Sequence, residues 1–289
     1  MSTSGRDAFR ARVAAAKKRI QSRPAEPALA VGIGLAVPGG PADRPETVEA
    51  YVETFLSDVW MKPLRQLISQ SIGGRPHPRR AGMVTMAERP AVLRDLLVHP
   101  DLCEVTLSHR DKTTGHHESF DVGTRNEDNP HVRVYGHQTL TEDPAAADRW
   151  VRVMLDLAEK VGAYHGVVSV MNPYAVRSEG AFVGAFLNGV DTHPFPDEFA
   201  RIRAVERELG TKYVRFPRWG TLYGRSHVEA LGGIGKIVDT VRPAVVRELP
   251  AAVYVQLTDS VVTATSPEAA AKQRAFTQLV APLLPPPVS

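Results

Sequence analysis

The densest group of metal-ligating side chains is His116-His117-Glu118, with His109 seven residues before the first of them. A zinc ion needs three or four ligands converging from one side. Adjacent residues of a strand point to opposite faces, so His116 and His117 diverge if the segment is extended and converge only if it is a loop. No helical ligand pair of the zinc-protease type supports the set, and His131 and His137 flank a different candidate strand. Acidic pairs occur at Asp101 with Glu104, Glu142 with Asp143, and Glu206 with Glu208. Paired carboxylates do acid-base work when they share a cleft, but on helices and loops they read as solvated faces or caps. Cys103 is the single cysteine, which excludes an internal disulfide and any multi-cysteine metal site.

The stretch "RWGTLYGRSHVEALGGIGK", residues 218–236, combines a Trp, a Ser-His pair, five glycines and a Lys. A phosphate loop needs a Gly five residues before the Gly-Lys pair and a Ser or Thr after it. Gly235-Lys236 has Ala230 and Ile237 in those places. A nucleophile elbow needs Gly on both sides of the Ser, and Ser226 has Gly224 before it but Val228 after it. The spacing of Trp219, Leu222, Tyr223, His227, Ala230 and Leu231 instead predicts one helical face, with Gly232 as a left-handed stop and Gly233 and Gly235 in the turn beyond. His227 then sits at the edge of a buried face, as a structural histidine.

The elements that must carry these residues follow from periodicity. The apolar run 28–37 follows a basic region, as a secretory core would. Glu26-Pro27 before it and Pro38-Gly39-Gly40 after it make it a buried first strand. Val48, Tyr51, Val52, Phe55, Leu56, Val59 and Trp60 form a helical face, ended or bent by Pro63. Residues 73–80 read as a basic, proline-broken loop, 82–86 as a short strand, and Pro90 as the opening of a helix that turns Val92, Leu93, Leu96 and Leu97 inward. Segments 102–109, 116–121 and 131–136 alternate like an antiparallel meander. Asp143 and Pro144 start a helix to Val161, closed by Gly162. A strand at 165–171, a helix over 196–208, strands at 212–216 and 251–258, and a last helix from Ser266-Pro267 complete the chain. That helix is expected to bury Ala271, Ala275, Phe276, Leu279 and Val280. Interleaved helices with hairpin-like strands predict an α+β fold, a mixed or antiparallel sheet packed by helices. It forms a single domain over 28–283, or two similar-sized lobes at 28–140 and 144–283, followed by a Pro-rich tail at 284–289.

The charge is uneven along the 289 residues. Residues 1–23 carry seven basic residues against one acid, a net +6, which leaves −3 for residues 24–289 of a chain totalling +3. The basic extension 1–27 therefore accounts for the high pI, and the body is not that of a nucleic-acid-binding protein. A helix over that head, with Phe9, Val13 and Ile20 in one stripe, would suit an anionic surface; a frayed terminus is the plainer reading. No run approaches the ~20 apolar residues of a membrane span.

Trp219, Thr221 and Leu222, followed by Leu231-Gly232-Gly233, then Leu249 and the apolar run 252–257, resemble the TsiV-like family of type VI secretion immunity proteins. The helix 144–161 and the strand after it resemble earlier blocks of that family. The resemblance implies a cytoplasmic, non-enzymatic protein without cofactor or metal. It would bind and neutralise a cognate toxic effector; some partners in that family are nucleases, which suits an acidic body. The matched residues are then a structural signature rather than a ligand set. Two features depart from the family pattern: the basic head, and a turn of Thr258-Asp259-Ser260 without Gly or Pro. The alternatives are a metal-dependent or hydrolytic enzyme using His109, His116, His117 and Glu118, and an accessory structural protein of a secretion system.

Overall fold

The computed structural model describes residues 30–60, 62–71, 75–76, 82–100, 102–110, 117–123, 130–137, 142–171, 201–202, 204–205 and 208–287. The basic extension 1–27, His116 and most of 196–208 lie outside these residues. In chain order the regular elements are β1 (Ala30–Ala36), α1 (Val48–Phe55), β2 (Gln66–Ser71), β3 (Arg75–Pro76), β4 (Gly82–Met83), α2 (Arg89–Leu97) and β5 (Leu102–Arg110). They continue with β6 (His117–Gly123), β7 (His131–His137), α3 (Pro144–Val161), β8 (His165–Met171), β9 (Gly220–Gly224) and α4 (Arg225–Ala230). The last are α5 (Gly233–Val241), β10 (Val245–Glu248), β11 (Ala252–Gln256) and α6 (Pro267–Val280).

The fold is α+β. One sheet runs β10-β11-β9-β8-β1-β7-β6-β5-β2-β3, with β4 also on β2. Every pairing between these strands is antiparallel. The first strand is central, held between β7 and β8.

Register gives the sheet two distinct faces. One cross-strand row reads Leu67, Leu107, Phe120, Val134, Ile33, Val168, Gly220. The next row, on the opposite face, reads Ile68, Thr106, Asp121, Arg133, Gly34, Val167, Thr221. The apolar row receives α1 and α3. Phe55 meets Phe120 edge-on with centroids 4.3 Å apart, and Trp60 lies 5.9 Å from Phe120 and 5.4 Å from Trp150. Trp150 Nε1 donates to the Val59 carbonyl at 3.1 Å, so burying this indole leaves no polar cost. Further along, Val151, Met154 and Leu155 of α3 face Ile33, Leu35, Val168, Leu222 and Tyr254.

Helices α3 and α6 begin as their sequences require. Asp143 Oδ1 accepts from Ala146 N at 3.2 Å, Pro144 takes the first helical position, and Gly162 ends α3 at φ 67°. Ser266 Oγ accepts from Ala269 N at 3.1 Å to start α6. That helix buries Ala269, Gln273, Phe276 and Val280; Ala271 is exposed, and Ala275 and Leu279 are half-buried.

Several expectations are corrected. The helix foreseen through Trp60 ends at Phe55, where Ser57-Asp58 turns the chain; Trp60 stays buried, donating to the Thr54 carbonyl at 3.3 Å. Residues 212–216 form no strand. Tyr213 pairs only in a bridge with Leu209, while Val214 N donates to Leu283 O at 3.0 Å. The single helix foreseen over 219–231 is a strand followed by a helix, β9 and α4. Gly220, Thr221 and Gly224 are poor helix formers, and β8 and β11 supply ladders on both sides. Four of the described elements were not foreseen: β2, β3, which falls in the stretch 73–80 expected as a loop, β10, and α5, the last opening on Gly-Ile-Gly, which reads locally as a turn.

Candidate functional site

The block 219–258 is built around Trp219. Its ring is buried, its Nε1 donates to Thr258 Oγ1 at 2.7 Å, and its carbonyl accepts from Leu257 N at 2.9 Å. Thr221 Oγ1 accepts from Arg218 N at 2.9 Å and donates to Arg218 O at 3.3 Å, closing the entry to β9. Leu222 points the other way, among the α3 side chains. Gly220 lies beneath Tyr254; a Cβ there would fall 2.5 Å from Tyr254 Oη and 3.0 Å from Val168 Cβ. Leu231 is buried at the end of α4. Gly232 at φ 94° and Gly233 at φ 84° then turn the chain through backbone that side chains resist, and α5 starts at once.

The turn after β11 is fastened to α3. Ser260 Oγ donates to Asp148 Oδ2 at 2.6 Å, and Val261 N donates to Asp148 Oδ1 at 2.9 Å. Thr263 Oγ1 bonds Thr258 Oγ1 at 2.8 Å, and Gln256 Nε2 donates to Thr258 O at 2.8 Å. The Thr258-Asp259-Ser260 turn thus holds its shape through side-chain bonds. The polar atoms that ring Trp219 are engaged in architecture, and none is arranged as a nucleophile with its base.

His227 lies within this block, and His165 packs against it. The His165 ring stacks on Tyr223 with centroids 5.7 Å apart and planes 5° from parallel. Its Nε2 accepts from Arg215 N at 3.3 Å. Burial first, then the charges of Arg215 and His227, draw its pKa down to about 3, against a bond to the Leu222 backbone. Burial also lowers His227, opposed by the Thr211 backbone. Both rings are neutral at physiological pH.

The histidine group at the other end of the sheet is divided by register. His109 stands opposite Glu118, and Arg110 stands opposite His117. His109 and Glu118 therefore share one face and His117 the other. Glu118 is buried, accepting from Lys62 N at 3.4 Å, while His117 lies 5.9 Å from the Tyr135 ring. Among the described residues no three His, Cys, Asp or Glu side chains are grouped to hold a metal ion.

Sequence reasoning missed the polar row on the second face. Asp121 is half-buried between Thr106 and Arg133. Burial and the Glu104 charge raise its pKa to about 6, opposed by bonds from Thr106 and Ser119 and by Arg133. His131 Nε2 stands 4.0 Å from Glu104 Oε2, and its ring fills the space above Gly123, where a Cβ would meet it at 2.4 Å. Alternating polar residues at Glu104, Thr106 and Ser108 and at Ser119 and Asp121 were the available signal.

No protein-family model matches the chain, and no curated protein matches it. A solved structure does share the fold: the Pseudomonas aeruginosa T6SS protein PA0821. The likeness covers 89% of this chain and 74% of that one, with a TM-score of 0.60 and 12% sequence identity. At that identity the likeness is one of fold. No helix among the described residues is long and apolar enough to cross a membrane.

Proposed function

We propose that the protein is a type VI secretion immunity protein of the TsiV-like kind, which binds a cognate toxic effector and occludes its active surface. The observation that supports this best is the shared fold with a T6SS protein over most of the chain. The signature residues Trp219, Thr221, Leu222, Leu231, Gly232 and Gly233 fit such a protein as scaffold. The reading is non-enzymatic: inhibition is stoichiometric and needs no cofactor. A nuclease is the partner class that suits the acidic residues 24–289, since opposite charge speeds association. Binding is to the toxin itself and not to nucleic acid. The protein acts in the cytoplasm of the producing cell.

The test is co-expression with the product of the neighbouring gene in a host that this product kills. Protection, with a one-to-one complex recovered by pull-down, is the expected result. Survival without a complex, or a complex without survival, would defeat the proposal.

A further inference from the structure

Arg89 opens α2, and only 2% of the residue is exposed. Its Nε and Nη2 have no hydrogen-bond partner among the described residues. A second cation, Arg65, stands close by: its carbonyl accepts from Val84 N at 3.0 Å, and Thr85, the next residue, accepts from Arg89 N at 3.2 Å. Burial first, and then the Arg65 charge, lower the Arg89 pKa. The adjacent acid, Glu88, is turned elsewhere: its Oε2 accepts from Thr85 Oγ1 at 2.7 Å and from Thr85 N at 3.3 Å. The start of α2 adds the positive end of a helix dipole.

An unpaired buried guanidinium is costly, and buried polar groups in folded proteins find partners. Two cations and a helix start meet here, and among the described residues no acid is paired with either cation. The guanidinium offers a planar fork of donors that fits two oxygens of one anion. Arg65 is exposed. Its backbone is held independently, with Arg65 N donating to Ser108 O at 2.8 Å and Val84 N donating to Arg65 O at 3.0 Å.

We propose that Arg89 and Arg65, at the start of α2, form a binding site for a small oxyanion of the phosphate class. The site stands apart from the immunity reading and does not depend on it. The anion supplies the oxygens that Arg89 lacks and offsets its repulsion with Arg65, tying β2 to α2.

The experiment is a thermal melt of the purified protein against inorganic phosphate, with potassium chloride at equal ionic strength and pH as control. Wild type should show a saturable rise in melting temperature with phosphate that chloride does not give. Arg65→Ala keeps both backbone bonds and should raise the half-saturating phosphate concentration about two- to fivefold, as loss of one exposed charge does. Arg89→Met keeps the volume and removes the charge; it should abolish the phosphate effect without lowering the melting temperature in chloride. No phosphate effect in wild type would overturn the site. An equal rise in all three proteins would mean an adventitious ion only. If Arg89→Met fails to fold, an unchanged half-saturation in Arg65→Ala overturns the proposal alone.

Discussion

Strands β9 and β11 and strands β5, β6 and β7 belong to the same sheet and solve different burial problems. All five residues of β9 and all five of β11 are buried. Their α3 face receives Val151, Met154 and Leu155, and on the other face Phe276 of α6 meets Tyr223 edge-on at 5.6 Å. In the meander, the apolar row packs on α1 and α3, while Thr106, Asp121 and Arg133 on the other face are half-buried or exposed. A strand buried on both faces loses its alternation and gains tightly fitted small residues, whereas one with a wetter face keeps a period of two. Substitutions should therefore be costly in the first region and mild in the second.

The most severe expected change is Trp219→Ala. It removes a buried indole and the Thr258 bond and should cost about 3–5 kcal/mol, read as a shift in the urea midpoint. Unchanged stability would place Trp219 outside the core and undo the structural account of the signature.

Gly220→Ala comes next. The added carbon would crowd Tyr254 and Val168, an overpacking worth about 1–3 kcal/mol. Tyr254→Phe removes the nearest atom, so the double variant should cost less than the sum of the singles. Simple additivity in urea titrations would show that the Tyr254 hydroxyl is not the obstacle.

The two regions should also answer pH in opposite senses. His165 has a folded pKa of about 3 against an ordinary 6.5. Its contribution is present above 6.5 and is lost as pH falls toward 3. Asp121 is raised to about 6 from an ordinary 3.8. Its contribution is present below 3.8 and is lost as pH rises through 6. His165→Phe should flatten the acid limb of a stability profile measured from acidic to alkaline pH, and Asp121→Asn should gain on wild type as pH rises through 6. Parallel shifts at every pH would remove both assignments.

What was legible in the sequence divides along the same line. The α3 boundaries could be read because Asp143, Pro144 and Gly162 act within a few residues of themselves. The meander could be read because Val105, Leu107, Phe120 and Val122 alternate with polar neighbours. The stretch Gly220–Gly224 could not, since its strand character depends on β8, β11 and the Tyr254 ring, none of them local. The raised Asp121 needs Thr106, Glu104, Ser119 and Arg133 from three strands. Over Trp219 to Gly233 the spacing of three and four that predicts one helical face also fits a strand followed by a short helix, which is what forms.

The mildest expected effect is Gly34→Ala, and it tests the open side of the comparison. Gly34 stands in the row with Arg133 and Val167, on the face opposite Ile33. A Cβ built there meets nothing within 4 Å, whereas one at Gly220 is blocked. Glycine within a strand pays extra backbone entropy on folding, roughly 0.5–1 kcal/mol relative to alanine. With space available and no left-handed backbone to accommodate, Gly34→Ala should leave stability unchanged or raise it by up to about that amount. Paired urea titrations of Gly34→Ala and Gly220→Ala give the comparison directly. A loss at Gly34 as large as that at Gly220 would mean that this face of β1 is packed as tightly as β9, and the contrast between the two regions would fail.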